Sequence, residues 1–153
     1  LGVDAMMIYR HVENKEALLN LTVERMRSEM DLAAELPRNP SGMLEAIFSE
    51  YRRVLAAHPN MLPLATRRTD PAELSGLEFL IDQGLARDDA VELYQSLTAF
   101  TVGFALLASP VAESHWEGIA GDLAERLRDW RDTTFRRTLR AVMAGYGLEG
   151  DNG

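Results

Sequence analysis

The chain has 153 residues, enough for a sizeable core in one or two domains. It contains no cysteine, which excludes disulfides, thiolate metal sites and cysteine nucleophiles. A formal net charge of −8 argues against a generic nucleic-acid binder, while 46% hydrophobic and 26% charged residues are ordinary for a soluble globular protein.

The opening stretch, LGVDAMMIYRHVENKEALL, predicts a glycine turn and then a short helix over 4–12, with Asp4 as its N-cap. Glu13-Asn14 interrupts that helix. A long helix is expected from Lys15 to about Leu36, with Leu18, Leu19, Leu21, Val23 and Met26 on its apolar stripe. A short helix after a glycine turn fits the second half of a helix-turn-helix, whose second helix enters the DNA major groove. It fits an ordinary helical corner as well, and the residues alone leave both readings open.

The rest reads as helix after helix, with no strand pattern and no internal repeat. LPRNPSG (36–42) is a break, and Ser41 is the expected cap of the helix that follows. That helix carries Met43, Leu44, Ile47, Tyr51, Val54 and Leu55 on one face and ends or kinks at Pro59. NMLPLATRR is expected to be short and irregular. Asp70-Pro71 starts a helix that runs to Gly84, a natural C-cap. Asp88 or Asp89 starts the next, which continues to about Ser109 before Pro110. VAESHWEGIAG is a loop, and a final helix extends from GDLAERL through to Gly145 or Gly147.

Two of these helices suggest a partner subunit. AVELYQSLTAFTVGFALLA is apolar on nearly all sides, which a small domain has little room to bury. The final helix has Leu123, Leu127, Trp130, Thr134, Leu139, Val142 and Met143 in one stripe. Val91, Val102, Leu106, Leu123, Leu127, Trp130 and Leu139 are therefore the expected dimer contacts. LTAFTVGFALLA is the most apolar run and is too short to span a membrane, so no membrane partner is expected. With no leader visible, a cytoplasmic protein is expected.

Little in the chain reads as catalytic. His11, His58 and His115 share no metal-ligand spacing, no carboxylate pair is placed for acid–base work, and no phosphate loop or nucleophile elbow is present. His58 reads best as a cap at a helix end. Neither metal nor cofactor is expected. Met43, Ile47, Tyr51, Leu62, Leu97, Phe100, Thr101, Phe104 and Trp116 could line an apolar cavity between helices.

The opening stretch resembles the recognition-helix signature of the TetR family of transcriptional regulators, Leu-Gly-Val-Ser/Asp-x-x-x-Leu/Ile-Tyr-x-His-Phe/Val-x-x-Lys-x-x-Leu-Leu. Leu1, Gly2, Val3, Asp4, Ile8, Tyr9, His11, Val12, Lys15, Leu18 and Leu19 match it. The resemblance continues through the body. Leu64-Ala65-Thr66-Arg67-Arg68-Thr69, Leu77-Glu78, Gln83-Gly84-Leu85, the run from Val91 to Leu107, and Phe135, Leu139 and Gly145 follow the tetracycline-repressor branch, with Thr138 replacing its usual glycine.

The resemblance implies an all-α protein in two parts. Residues 1–30 are the remnant of a helix-turn-helix head, whose first helix and most of whose second would precede Leu1. Residues 31–153 form an effector-binding and dimerisation body. It implies that Tyr9, His11 and Lys15 touch DNA phosphates while Ala5, Met6 and Arg10 read base edges. The head carries a charge balance of −1 and the body −7, so an acidic body would leave DNA contact to the head. The implied function is a homodimeric repressor released from double-stranded operator DNA by a small-molecule effector. An all-helical enzyme or carrier, or a ligand-free helical dimer, are the other readings. Pro63 stands where the tetracycline repressors carry a magnesium-binding histidine, so a tetracycline–magnesium effector is not expected.

Overall fold

The structure, a computed structural model, describes residues 14–32, 36–65, 71–110, 121–122, 125–126 and 129–148, with backbone alone for 71–75. Among them are five α-helices, one 3-10 helix and no strand. They are α1 (Lys15–Arg27), α2 (Pro40–Ala57), the 3-10 helix Pro59–Leu64, α3 (Pro71–Asp82), α4 (Arg87–Leu107) and α5 (Asp132–Ala144). The all-α class is as expected, and several boundaries move for identifiable reasons.

The chain's own punctuation sets most helix ends. Asn14 caps α1 by accepting from Ala17 N–H at 2.8 Å. α1 stops at Arg27, well short of Leu36, and Ser28 closes it with its hydroxyl on the Arg25 carbonyl. Asn39 rather than Ser41 caps α2: its side-chain oxygen accepts from Gly42 N–H at 2.6 Å, and Pro40 takes the first helical position. Proline suits that position because its missing N–H would be unpaired anyway. Ser41 turns inward and donates its hydroxyl to Asn39. The expected irregular stretch after His58 is a 3-10 helix containing Pro63. Gly84 ends α3 at φ 98°, with Leu85 N–H on the Leu80 carbonyl and Gly84 N–H on Ile81. That is a Schellman ending, which needs a residue at ease in left-handed backbone.

α4 is the central helix, packed against α2, α3, α5 and the 3-10 helix. Asp88 and Asp89 lie in its first turn, where the helix dipole favours negative charge, and no side chain caps it. By length and composition α4 is long and apolar enough to cross a membrane, contrary to the expectation from its most apolar run. It is also not buried all round. Ala90, Leu93, Leu97, Thr101, Phe104 and Ala105 are buried, whereas Leu106 and Leu107 are 44% and 45% exposed.

The final helix is not continuous. Asp129–Arg131 is non-helical, Arg131 is extended at φ −77° and ψ 145°, and α5 begins at Asp132. Asp129 carries an ion pair with Arg131 two residues on, and Asp132 supplies the acidic first turn of a fresh helix. Phe135, Leu139 and Met143, spaced at four, are the face that α5 buries.

One core joins these elements. Met26 of α1, Phe48, Tyr51 and Leu55 of α2, Leu80 of α3, Leu93, Leu97 and Phe104 of α4, and Phe135 and Leu139 of α5 belong to it. Leu21, expected on the buried stripe of α1, is 50% exposed, and Val23 and Met26 carry that helix's burial instead.

Candidate functional site

The expected effector lining is part of this core. Tyr51, Leu62, Leu97 and Phe104 are buried members of it. The Tyr51 hydroxyl donates to the Ala65 carbonyl at 2.8 Å, tying the end of the 3-10 helix to α2. Thr101 is fully buried and donates back to the Leu97 carbonyl at 2.7 Å. Phe100, half-buried, stacks on Phe135 at 5.2 Å and meets Phe104 edge-on at 5.7 Å. Met43 and Ile47 are half-buried on α2. The structure thus gathers Tyr51, Leu62, Leu97 and Phe104 as side chains of the common core. Trp116 lies outside the described residues.

The expected dimer contacts divide. Leu139 is fully buried within the protomer and has no surface left to give a partner. Trp130 is half-buried with its ring edge-on to Phe104 at 5.0 Å, which makes it a wall of the protomer's own core. Val91 and Val102 are half-buried and Leu106 is exposed. Leu123 and Leu127 lie outside the described residues. Of the expected DNA contacts, Lys15 is exposed at the start of α1, and Ala5, Met6, Tyr9, Arg10 and His11 lie outside the described residues.

Two features that sequence reasoning missed lie side by side where the end of α1 meets α2. The first is a polar junction. His58 Nε2 lies 2.6 Å from Glu29 Oε2, so this histidine bonds a carboxylate just beyond α1 while ending α2. Arg53 donates to the Glu29 carbonyl at 2.8 Å and twice to Glu50, at 2.9 and 2.6 Å. Glu50 in turn accepts from Asp31 N–H at 2.8 Å. The hydrogen bond with His58, ahead of the charges of Arg25 and Arg53, holds the Glu29 carboxyl below its ordinary range. Arg53 does the same for Glu50. Apart from Arg53 and Glu50, which are one helical turn apart, these partners are 19 to 29 residues apart in sequence, so no local motif announces them.

The second is a cleft of about 320 Å³ between the segment after α1, the outer side of α2 and the start of α5. Arg52 forms one wall. Its guanidinium lies over the Phe135 ring at 5.0 Å and the Phe104 ring at 5.7 Å, and it pairs with Asp132. Two buried polar atoms of lining residues, Ser49 Oγ and Arg52 Nε, have no hydrogen-bond partner among the described residues. Among the described residues no group of three His, Asp or Glu side chains is placed to hold a metal ion.

No family model matches the chain. Among curated proteins it is similar to an HTH-type transcriptional regulator of Saccharopolyspora erythraea, 30% identical over 139 residues, covering 84% of this chain and 57% of that protein. The chain therefore spans little more than half the length of that relative. Among solved structures it matches a TetR variant from Acinetobacter baumannii AYE, determined in complex with minocycline. The TM-score is 0.74 and the identity 21%, over 99% of this chain and 82% of that one. The chain thus shares the all-helical fold of that TetR variant and, over part of its length, sequence similarity with an HTH-type transcriptional regulator.

Proposed function

We propose that the chain is the recognition helix, linking helix and body of a homodimeric transcriptional repressor, which a small molecule bound in the body releases from operator DNA. The observation that carries this reading is the 30% identity to an HTH-type regulator over 84% of the chain. Residues 1–30 belong to the head and 31–153 to the body. Tyr9, His11 and Lys15 hold phosphates, and Ala5, Met6 and Arg10 face base edges. The protein has no catalytic role and works in the cytoplasm.

In this reading α1 is the lever. Its far end is held to the body by Val23 and Met26 in the core and by the Glu29–His58 and Arg53–Glu29 bonds. Two such levers set the spacing of two heads against successive major-groove turns. An effector that prefers the body conformation with wrongly spaced heads shifts the population away from DNA by its differential affinity alone. The protomers meet along the exposed side of α4. Val102, Gly103 and Leu106 fall there, and a Cβ on Gly103 would meet nothing within 4 Å among the described residues of the protomer.

The test is titration of the full-length protein onto its own upstream DNA by fluorescence anisotropy at several salt concentrations. Tight, sequence-dependent binding with a steep salt slope is expected. Arg10→Ala should cost about 1–3 kcal/mol and relax specificity at one base position, and Lys15→Ala should weaken all sequences alike and lower the salt slope by about 1. Binding no tighter than to random DNA at every salt concentration would overturn the reading.

A further inference from the structure

α1 enters the core through little of its own surface. Val23 and Met26 are its buried side chains, and both lie in its second half. The helix closes at Ser28. The backbone after it carries two polar groups, the Glu29 carbonyl and the Asp31 N–H, that take no backbone partner among the described residues.

Two side chains of α2 meet these groups instead. The Arg53 guanidinium donates to the Glu29 carbonyl, and Glu50 Oε1 accepts from the Asp31 N–H, each at 2.8 Å. Glu50 and Arg53 stand one helical turn apart and are bonded to each other twice, at 2.9 and 2.6 Å, through that same carboxylate oxygen. Glu50 is the corner of the arrangement, with its side chain 17% exposed. The bond from Arg53, ahead of the one from the Asp31 N–H, holds its carboxyl below the ordinary carboxylate range. Both contacts grip backbone, so the side chains at 29 and 31 do not enter them; His58 takes the Glu29 carboxylate separately. Val23 and Met26 give α1 one point of attachment to the body and this pair gives a second. Two points fix the axis of a helix, whereas one leaves it free to swing.

We propose that Glu50 and Arg53 are positioning residues for the DNA-binding head: together they clamp the backbone leaving α1 and so fix the direction of that helix without touching DNA themselves, an assignment that rests on the repressor reading above. The clamped direction is the one that spaces two heads for the operator. A released linker samples other directions, and operator affinity falls in proportion to the clamped fraction.

The experiment uses the full-length protein, titrated onto its own upstream DNA and, without DNA, followed by hydrogen exchange in NMR. Arg53→Ala and Glu50→Ala should each weaken operator binding about 3- to 10-fold, the worth of one hydrogen bond. The salt slope should not change, since no phosphate contact is lost. A smaller slope would make Arg53 a phosphate contact and overturn the proposal. The double alanine variant should be little weaker than the weaker single one, because the two residues make one device. The exchange of the pair, Glu50→Arg with Arg53→Glu, separates a clamp from a plain ion pair. It rebuilds the one-turn pair on α2 but turns a carboxylate toward the Glu29 carbonyl and a guanidinium toward the Asp31 N–H. A pair that only stabilises α2 would be rescued by it, whereas operator binding should stay at least as weak as in Glu50→Ala. Without DNA, the Asp31 amide should exchange about 3- to 10-fold faster in Glu50→Ala than in wild type, and Glu50→Gln, which keeps an acceptor, should lie between. Wild-type operator affinity in either alanine variant, rescue by the exchanged pair, or an Asp31 amide indifferent to Glu50→Ala overturns the proposal. Wild type that binds its operator, with variants that bind it equally well, removes the clamp and keeps the repressor. Wild type that binds no operator, with Asp31 protection lost in Glu50→Ala, removes the repressor and the role in DNA binding and keeps the clamp on α1.

Discussion

Phe135 shows how much one side chain can hold together. It is fully buried, stacks on Phe100, meets Phe104 edge-on at 5.1 Å and lies under the Arg52 guanidinium. Phe135→Ala would leave a cavity between α2, α4 and α5, and a loss of about 3–5 kcal/mol in urea unfolding is expected. Tyr51 differs in kind, because its ring is core and its hydroxyl is a tie. Tyr51→Phe keeps the ring and loses the bond to Ala65, for an expected cost of about 1 kcal/mol. Glu29 is one source of pH dependence at this scale. A carboxyl depressed in the folded state contributes stability that is full above its ordinary value of 4.5 and lost as pH falls through the folded value. Wild type should therefore be more stable than Glu29→Gln at neutral pH, and the two should converge below that value. Urea unfolding of both proteins from neutral pH down to about pH 3 checks this, and parallel curves would remove Glu29 from the account. Composition foretold none of these roles except burial of the rings. Tyr51 and Phe104 were legible as apolar helix positions, but whether such a position faces a ligand or the common core depends on what sits opposite.

At the scale of elements, the start of α2 is the most constrained joint. Gly42 sits in the first turn, and a Cβ there would lie 2.8 Å from both Asn39 Oδ1 and Pro37 Cβ. Alanine normally favours a helix over glycine by roughly 0.8–1.0 kcal/mol. Here Gly42→Ala should instead destabilise, because the atom it displaces is the cap itself. Asn39→Ala should cost about 1 kcal/mol through the same cap. Thermal unfolding of the two single variants and the double variant checks both statements, and the two losses should be far from additive since they damage one interaction. The existence of the five described α-helices was legible from periodicity. The boundaries that moved are those set by competition: Asn39 over Ser41 as cap, because Pro40 between them fits the first helical position, and Arg131 over continuation of the last helix. The early end of α1 at Arg27 has the same character. Glu29 bonds Arg53 and His58 and Asp31 bonds Glu50, so backbone that could have continued the helix is tied to α2 instead.

For the whole molecule, the exposed side of α4 carries the proposed self-association. Leu106→Glu should dissociate the dimer in sedimentation experiments while leaving the unfolding transition of the protomer cooperative. An unchanged sedimentation coefficient would remove this face from the interface. The all-helical class and the resemblance of the opening stretch to a recognition helix came from the sequence by itself, because hydrophobic period, glycine turns and a dense local motif are written in adjacent residues. The head-to-body junction and the Arg52 cleft were decided only by the tertiary structure. Arg53 reaches Glu29, His58 reaches Glu29 and Arg52 reaches Asp132 across separations of 24, 29 and 80 residues. One such charge looks like any other solvated charge until the fold brings its partner, and an unpartnered hydroxyl shows itself only once everything else around it is paired.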